Sequence, residues 1–140
     1  MIKEFDLAHL DEVMDIWLKT NISAHDFVDK KYWESNFEFV KQVLPTSQVK
    51  VFTQDDVIKG FIGVIDSYIA GLFVLDEYQS QGIGKQLLDE AKESFSILHL
   101  DVYVQNEKAV MFYKKNGFQV VSEKENSDSK QMEYFMVWSK

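Results

Sequence analysis

A short turn with two glycines, residues 79–85 (QSQGIGK), lies between an apolar run and a helical pattern. The apolar run ends at Leu75. Ile83, Leu87 and Leu88 then recur at the spacing of one helix face. The first N–H groups of a helix lack intrahelical acceptors and attract anions, and glycine allows close approach of the main chain to a phosphate. The turn therefore predicts a strand, an anion-binding loop and a helix in succession, with a phosphorylated ligand at the helix start.

Hydrophobic periodicity around this turn predicts about seven strands and four helices. The predicted strands span residues 2–5, 49–53, 57–65, 68–75, 97–104, 118–123 and 133–138. The first predicted helix carries the apolar stripe of residues 10–18, and the others cover 30–44, 82–95 and 107–115. The order is β-α-α-β-β-β-α-β-α-β-β. This order predicts an α/β protein of the α+β type, with a central mixed, mostly antiparallel twisted sheet and helices on both faces.

The composition restricts the class of protein. The chain has 140 residues of which 46% are hydrophobic, which predicts one packed domain over residues 1–140. No apolar run approaches the roughly 20 residues of a membrane span, and the N-terminal residues do not resemble a signal peptide. The chain has no cysteine, which excludes disulfides and thiolate chemistry. These features together predict a cytoplasmic protein.

The charges restrict the partners. Lysine and arginine number 15 and aspartate and glutamate 23, so the net charge is −8. Such a chain is not expected to bind nucleic acid or an anionic membrane surface as its main partner. The three histidines, His9, His25 and His99, lack the spacing of metal ligands, so no metal site is predicted.

Two familiar phosphate-binding motifs do not fit the glycine turn. A dinucleotide-binding fingerprint needs a third glycine where Leu87 stands. A nucleotide-triphosphate loop needs glycine at the position of Gln79 and Ser or Thr at the position of Gln86. The phosphorylated ligand is therefore expected to be of another kind.

The remaining pattern, Gln-x-x-Gly-x-Gly after the fourth predicted strand, resembles the acetyl-CoA signature of the GCN5-related N-acetyltransferase (GNAT) superfamily. Residues 106–118 (NEKAVMFYKKNGF) resemble the N-x-x-A-x-x-F-Y-x-x-x-G-F segment of the same superfamily. The predicted order of elements matches the GNAT fold along essentially the whole chain. The N-terminal half is similar, more weakly, to small stand-alone bacterial members, some of which are thought to acetylate protein lysines or other amines.

The resemblance implies where acetyl-CoA, the acetyl donor, would bind. Amides of the glycine turn would hold the CoA pyrophosphate, with support from Lys85. Main-chain groups of the fourth strand would pair with the pantetheine arm as if it were an added strand, and Asn106 would bond to the same arm. The implied cofactor-binding residues are Leu72, Phe73, Val74, Gln79, Gln81, Gly82, Ile83, Gly84, Lys85, Asn106 and Tyr113.

The implied reaction is direct acetyl transfer from the thioester to a primary amine in a ternary complex. The resemblance makes Tyr113 the general acid that protonates the leaving CoA thiolate, and the Phe73 N–H a donor to the oxyanion. A lysine-type amine has a pKa of about 10.4, so it must lose a proton before it attacks.

The acceptor of that proton stays open at the level of sequence. Many GNAT relatives carry a glutamate on the fourth strand, but residues 68–71 of this chain are YIAG. His25 has a side chain suited to proton transfer near neutral pH. Asp66 lies just before the strand. A chain of ordered waters ending at Asp66, Tyr68 or Glu133 is equally compatible.

The sequence therefore predicts an acetyl-CoA-dependent N-acetyltransferase. The acceptor amine, a protein lysine, a protein N-terminus or a small amine, is not specified, and the chain is expected to be a monomer or a homodimer. The alternative is a catalytically weak CoA-binding sensor or regulatory module on the same fold.

Overall fold

The structure, a computed structural model, describes residues 1–140. All seven strands form one sheet in the order β1-β2-β3-β4-β5-β7-β6. The strands are β1 (Ile2–Glu4), β2 (Gln48–Gln54), β3 (Val57–Ile65), β4 (Tyr68–Val74), β5 (Ile97–Tyr103), β6 (Gln119–Glu125) and β7 (Met132–Ser139). The helices are α1 (Leu10–Ala24), α2 (Lys30–Val43), α3 (Ile83–Ser94) and α4 (Glu107–Lys115).

The predicted order of elements and the mixed, mostly antiparallel sheet are confirmed. The main difference lies in the first helix, which continues beyond its apolar stripe to Ala24. This extension carries two buried polar residues, Thr20 and Asn21, whose side chains bond to carbonyls one turn earlier in the helix. Hydrophobic periodicity does not detect such residues, because they satisfy their polar groups locally.

Two irregularities bend the sheet beside its glycines. The pairing of β2 with β3 shifts between Phe52 and Thr53, opposite Gly60. The pairing of β3 with β4 shifts between Gly63 and Val64, which leaves Ala70 as an extra residue on β4. A bulge of this kind bends its strand and increases the local twist. β4 therefore turns away from its next neighbour shortly after it begins.

That next neighbour is β5, and the two strands form the sheet's one parallel pair. They are paired at a single position, Tyr68 with His99, and the His99 N–H donates to the Ser67 carbonyl at 3.1 Å. Beyond this point the strands diverge, so the edge of β4 that faces β5 has no ladder partner. The sheet thus opens into a fork whose closed end is at Tyr68 and His99.

The hydrophobic residues form two clusters on opposite faces of the sheet. One contains 15 buried residues and joins α3 and α4 to side chains such as Ile69, Leu98 and Leu100. The other contains 12 buried residues and joins α1 and α2 to side chains such as Phe61 and Tyr103. The sheet therefore presents an α3/α4 face and an α1/α2 face on either side of the fork. None of the helices combines the length and apolar character needed to cross a membrane.

Candidate active site

The fork opens into a cavity of about 620 Å³ between β4, the start of α3, the end of α1 and α4. Most of the residues predicted for the site meet there. Those that line the cavity are His25, Leu72, Phe73, Val74, Gln79, Gly82, Ile83, Gly84, Lys85, Asn106 and Tyr113. Residues of the cavity wall that the sequence did not indicate include Ser23, Asp76, Lys108 and Phe112.

Two predicted residues lie apart from the cavity. The Gln81 side chain is exposed and does not contribute to the wall. Asp66 is exposed in the turn before β4, with φ of 48°, at the opposite end of that strand from the glycine turn. The structure therefore places Asp66 as a turn residue.

The glycine turn prepares an anion site at the start of α3. Gly82 is the N-cap residue with φ of 85°, and no side chain caps this end of the helix. A Cβ added to Gly82 would meet no atom within 4 Å. Glycine is needed there because of the left-handed backbone rather than because of limited space. The uncapped N–H groups suit the pyrophosphate of a CoA molecule, so the residues present fit acetyl-CoA.

Gln79 connects three parts of the cavity wall. Its Nε2 donates to the Val74 carbonyl at 3.0 Å and to Asp76 Oδ1 at 3.3 Å, while its Oε1 accepts from Lys108 Nζ at 2.6 Å. The side-chain donors are therefore directed toward the protein. The contact also brings the Lys108 ammonium group from α4 to the glycine turn.

The two lysines of the cavity wall have different partners. Lys85 forms an ion pair with Asp89, one helical turn later, at 2.9 Å. Lys108 bonds to the neutral amide of Gln79 and has no carboxylate within ion-pair distance. The positive charge of Lys108 is therefore less compensated by protein groups and is more available to an anionic ligand.

Asn106 and His25 form a bridge from α4 to the end of α1. Asn106 caps α4, since its Oδ1 accepts from the Ala109 N–H at 3.3 Å. Its Nδ2 lies 3.2 Å from His25 Nε2, and His25 Nδ1 lies 2.9 Å from the Asn21 carbonyl. The pair of contacts fits one arrangement, in which Nδ1–H donates to Asn21 and Nε2 accepts from Asn106.

The surroundings of His25 favour its neutral form. The imidazole stacks on Trp33 with ring centroids 5.1 Å apart, and it meets the edges of Phe27 and Tyr103. Burial lowers the pKa of His25, and its bond to the Asn21 carbonyl offsets only part of this effect. A neutral, partly buried ring with both nitrogens engaged is better suited to positioning Asn106 than to accepting a proton from an ammonium group.

Tyr113 projects from α4 into the cavity and is only 8% exposed. Its ring packs against the edges of Phe112 and Phe118. Burial raises its pKa, so the hydroxyl stays protonated at neutral pH. No protein group accepts a hydrogen bond from it, and the O–H remains available to a ligand in the cavity.

A second polar group lies on the α1/α2 face and adds Asp101, which the sequence did not indicate, to the predicted candidates Tyr68 and Glu133. The Tyr68 hydroxyl donates to Asp101 Oδ2 at 3.0 Å, across the closed end of the fork. Asp101 also lies 3.8 Å from Lys124 Nζ. Glu133 is close by on β7, and its pKa is raised by burial and further by the charge of Asp101. The sequence does contain one indication of Asp101. It lies between the apolar residues Leu100 and Val102 on β5, and the alternation of a strand assigns it to the opposite face.

The geometry of the cavity fits an acyl-CoA ligand, and the comparison with known families agrees. Residues 20–133 match the family described as the acetyltransferase (GNAT) domain. The chain belongs to the GNAT acetyltransferase family. As predicted, it is an N-acetyltransferase that takes its acetyl group from acetyl-CoA.

Individual relatives cover most of this acetyltransferase. It is 27% identical over 140 residues to peptidyl-lysine N-acetyltransferase YiaC of Escherichia coli. The matched region covers 99% of this chain and 96% of the relative. It is 33% identical over 120 residues to peptidyl-lysine N-acetyltransferase YjaB of Salmonella typhimurium, covering 84% and 82% of the two chains. The solution structure of apo YjaB from Escherichia coli superposes with a TM-score of 0.86 at 25% identity, covering 99% of this chain and 96% of that one.

Proposed function

We propose that this GNAT enzyme acetylates the ε-amino group of lysine residues in proteins. The names of YiaC and YjaB as peptidyl-lysine N-acetyltransferases support this acceptor, since both relatives match most of the chain. The cavity in the fork is the observation on which the proposal depends, because it joins the glycine turn, the unpaired edge of β4 and the free Tyr113 hydroxyl. In this proposal an extended aliphatic amine would approach from the α1/α2 face.

The donor would bind along β4. Main-chain groups of Leu72, Phe73 and Val74 would pair with the pantetheine amides, because this edge of the strand has no other partner. The first N–H groups of α3 would receive the pyrophosphate, with Lys108 and Lys85 as the nearby cations. Asn106 would hold the pantetheine arm, oriented by its contact with His25.

Tyr113 would act as the general acid. Its hydroxyl is protonated and unpartnered, so it can donate to the sulfur atom as negative charge develops there. The N–H of Phe73 would stabilise the oxyanion of the tetrahedral intermediate. His25 is better assigned as a positioning residue. Asp66 is an exposed residue of the turn before β4, and nothing in its surroundings supports a role as a base.

A panel of acceptors tests the proposal. Release of free thiol from acetyl-CoA would be measured with lysine peptides, peptides with a free N-terminus and small polyamines, and the acetylated atom would be located by mass spectrometry. Acetylation of the lysine side chain is expected to be fastest. Turnover confined to N-termini or polyamines would contradict the lysine assignment, and tight binding without turnover would favour the CoA-binding sensor instead.

We also propose that residues 1–140 act as one acetyltransferase domain. Both hydrophobic clusters pack against the same seven-stranded sheet, which supports a single folding unit. A cytoplasmic location and a monomeric or homodimeric state stay predictions from the sequence. One cooperative unfolding transition, seen alike by circular dichroism and tryptophan fluorescence, is expected.

A further inference from the structure

We infer that Tyr68 and Asp101 form the proton-accepting pair for the acceptor amine. The inference rests on the N-acetyltransferase activity and does not depend on which amine is the natural acceptor. Tyr68 would accept a hydrogen bond from the amine nitrogen, while its own hydroxyl proton is already directed at Asp101 Oδ2, 3.0 Å away.

The position of the pair in the fork supports this role. Tyr68 is the one residue of β4 that is paired with β5, so it marks the closed end of the fork, next to the residues of the cavity wall rather than among them. Its hydroxyl reaches Asp101, two residues beyond His99 on β5. Leu100 and Val102 on β5 point into the α3/α4 cluster, and Asp101 between them points to the other face. Tyr113 belongs to the α3/α4 cluster. The proton donor for the sulfur and the proton acceptor for the amine therefore flank the fork from opposite faces.

The carboxylate of Asp101 is incompletely satisfied within the chain. Its side chain is 19% exposed, Oδ2 accepts from Tyr68, and Oδ1 is buried without a hydrogen bond. The Lys124 ammonium, 3.8 Å away and largely exposed, compensates this charge only weakly. Buried polar atoms without partners are rare in folded proteins, so an additional donor supplied with the substrate is a reasonable explanation.

The other charged and titratable groups of this face define the alternatives. Glu133 on β7 is the second carboxylate, but it makes no hydrogen bond to Tyr68. His99 packs against the Tyr68 ring with centroids 5.3 Å apart. Tyr103 donates its hydroxyl proton to Ser129 at 2.9 Å. Among these groups Asp101 alone combines a negative charge with a direct bond to the tyrosine at the fork.

The proton balance is complete with the two substrates. One proton leaves the ammonium group through Tyr68, which simultaneously passes its own proton to Asp101 and stays neutral. The amine lone pair forms the C–N bond to the thioester carbonyl carbon, and the C–S bond breaks with its electron pair on sulfur. Tyr113 gives its proton to the sulfur and is restored by the second proton that leaves the nitrogen, and Asp101 releases the first proton to solvent. Burial and the charge of Asp101 raise the pKa of Tyr68. Tyr68 is therefore expected to pass the proton on to Asp101 rather than to persist as a tyrosinate.

The test compares Asp101→Asn with a matched control, Glu123→Gln. The control removes the same charge from β6, where Glu123 pairs with Tyr134 and therefore lies on the opposite face from Lys124 and Glu133. Asp101→Asn is expected to lower kcat/KM for a primary amine about 100-fold at neutral pH. The difference from the native enzyme should narrow as pH rises toward the amine's own pKa, where free amine is abundant. Acetyl-CoA affinity should be unchanged, and the control should resemble the native enzyme.

An aminooxy analogue of the acceptor separates proton transfer from a structural effect, because this nucleophile is uncharged at neutral pH. Asp101→Asn should lose much less activity with the aminooxy compound than with the amine. Tyr68→Phe should show the same pattern. Equal losses on both acceptors, no loss at all, or a larger loss in Glu133→Gln than in Asp101→Asn would each overturn the inference.

Failure of the lysine assignment would leave this test intact. Any amine of the panel that is acetylated can serve as the acceptor. If none is acetylated, binding of n-butylammonium to the CoA-bound protein, followed by NMR, replaces the rate measurement. Weaker binding to Asp101→Asn than to Glu123→Gln would support the inference, and equal binding would overturn it.

Discussion

The two sides of the fork are built in different ways. On the donor side, the cavity wall is made of β4, the uncapped start of α3 and side chains of α4. On the proposed acceptor side, the polar groups are side chains from separate strands, such as Tyr68 and Asp101, which are 33 residues apart in sequence. Each donor-side group therefore belongs to a short continuous segment, whereas the acceptor pair forms only through the register of the sheet.

The two sides also differ in charge. Lys85 and Lys108 are on the donor side, where a polyanionic CoA is expected. Asp101 and Glu133 are on the acceptor side, where the substrate arrives as a cation. Each side also contains the opposite sign, since Asp76 lines the donor-side cavity and Lys124 lies 3.8 Å from Asp101. The difference therefore concerns the groups left for a ligand, which are ammonium groups on the donor side and carboxylates on the acceptor side.

The strongest test of the donor side is Tyr113→Phe, which removes the hydroxyl and keeps the packed ring. We expect kcat to fall about 100-fold, because the thiolate then leaves without its proton donor. Acetyl-CoA affinity, measured by calorimetry, should hardly change. Equal kcat values for the variant and the native enzyme would remove Tyr113 from the acid role, and Tyr134→Phe is a matched control for the loss of a tyrosine hydroxyl outside the cavity.

Asn106 links the two sides, and two substitutions divide its roles. Asn106→Ala should lower the free energy of unfolding by about 1 kcal/mol through loss of the α4 cap, whereas Asn106→Ser should retain that stability. Both variants lack the amide and should bind acetyl-CoA about fivefold to tenfold more weakly. Urea unfolding and calorimetry provide the two measurements. Native affinity in Asn106→Ser would show that the amide contributes to the cap and not to acetyl-CoA binding.

The two donor-side lysines should contribute unequally to acetyl-CoA binding. Lys108→Ala is expected to weaken it about fivefold, and Lys85→Ala by less, because Asp89 already neutralises Lys85. Both effects should diminish at high salt. Repeating the titrations with dephospho-CoA would show which phosphate is involved. A larger loss in Lys85→Ala than in Lys108→Ala would mean that the Lys85–Asp89 ion pair opens when the donor binds.

The same contrast explains how far the sequence predicts this protein. The glycine turn, the Asn106–Tyr113 segment and the element order were recognisable because each is encoded in adjacent or periodically spaced residues. They suffice for the fold, the family and about half of the residues of the cavity wall. The Gln81 side chain is exposed, so any part that this residue has in binding would come from its main-chain amide, which stays a prediction.

The acceptor side was less predictable for a physical reason. Asp101 becomes notable only when Tyr68 lies beside it, and this proximity follows from the single parallel pairing of β4 with β5. His25 was recognised as a candidate, but its burial against Trp33 and its contact with Asn106 depend on how α1 and α2 pack. Residue type indicates what a side chain can do, and tertiary contacts decide which of those roles is open to it.

The smallest expected effect concerns the contribution to protein stability of His25, which with Asn106 bridges α1 and α4. Burial lowers the pKa of this histidine in the folded protein, so between that value and the unfolded value near 6.5 the unfolded chain binds more protons. The free energy of unfolding should therefore fall as pH decreases below about 6.5, by at most about 1.4 kcal/mol per pH unit for one group. His25→Gln should lack this component. Other groups titrate alike in both proteins, so the difference between their urea-unfolding curves isolates His25. Parallel pH dependences would mean that the imidazole is protonated without cost in the fold, and the neutral bridge to Asn106 would then have to be abandoned.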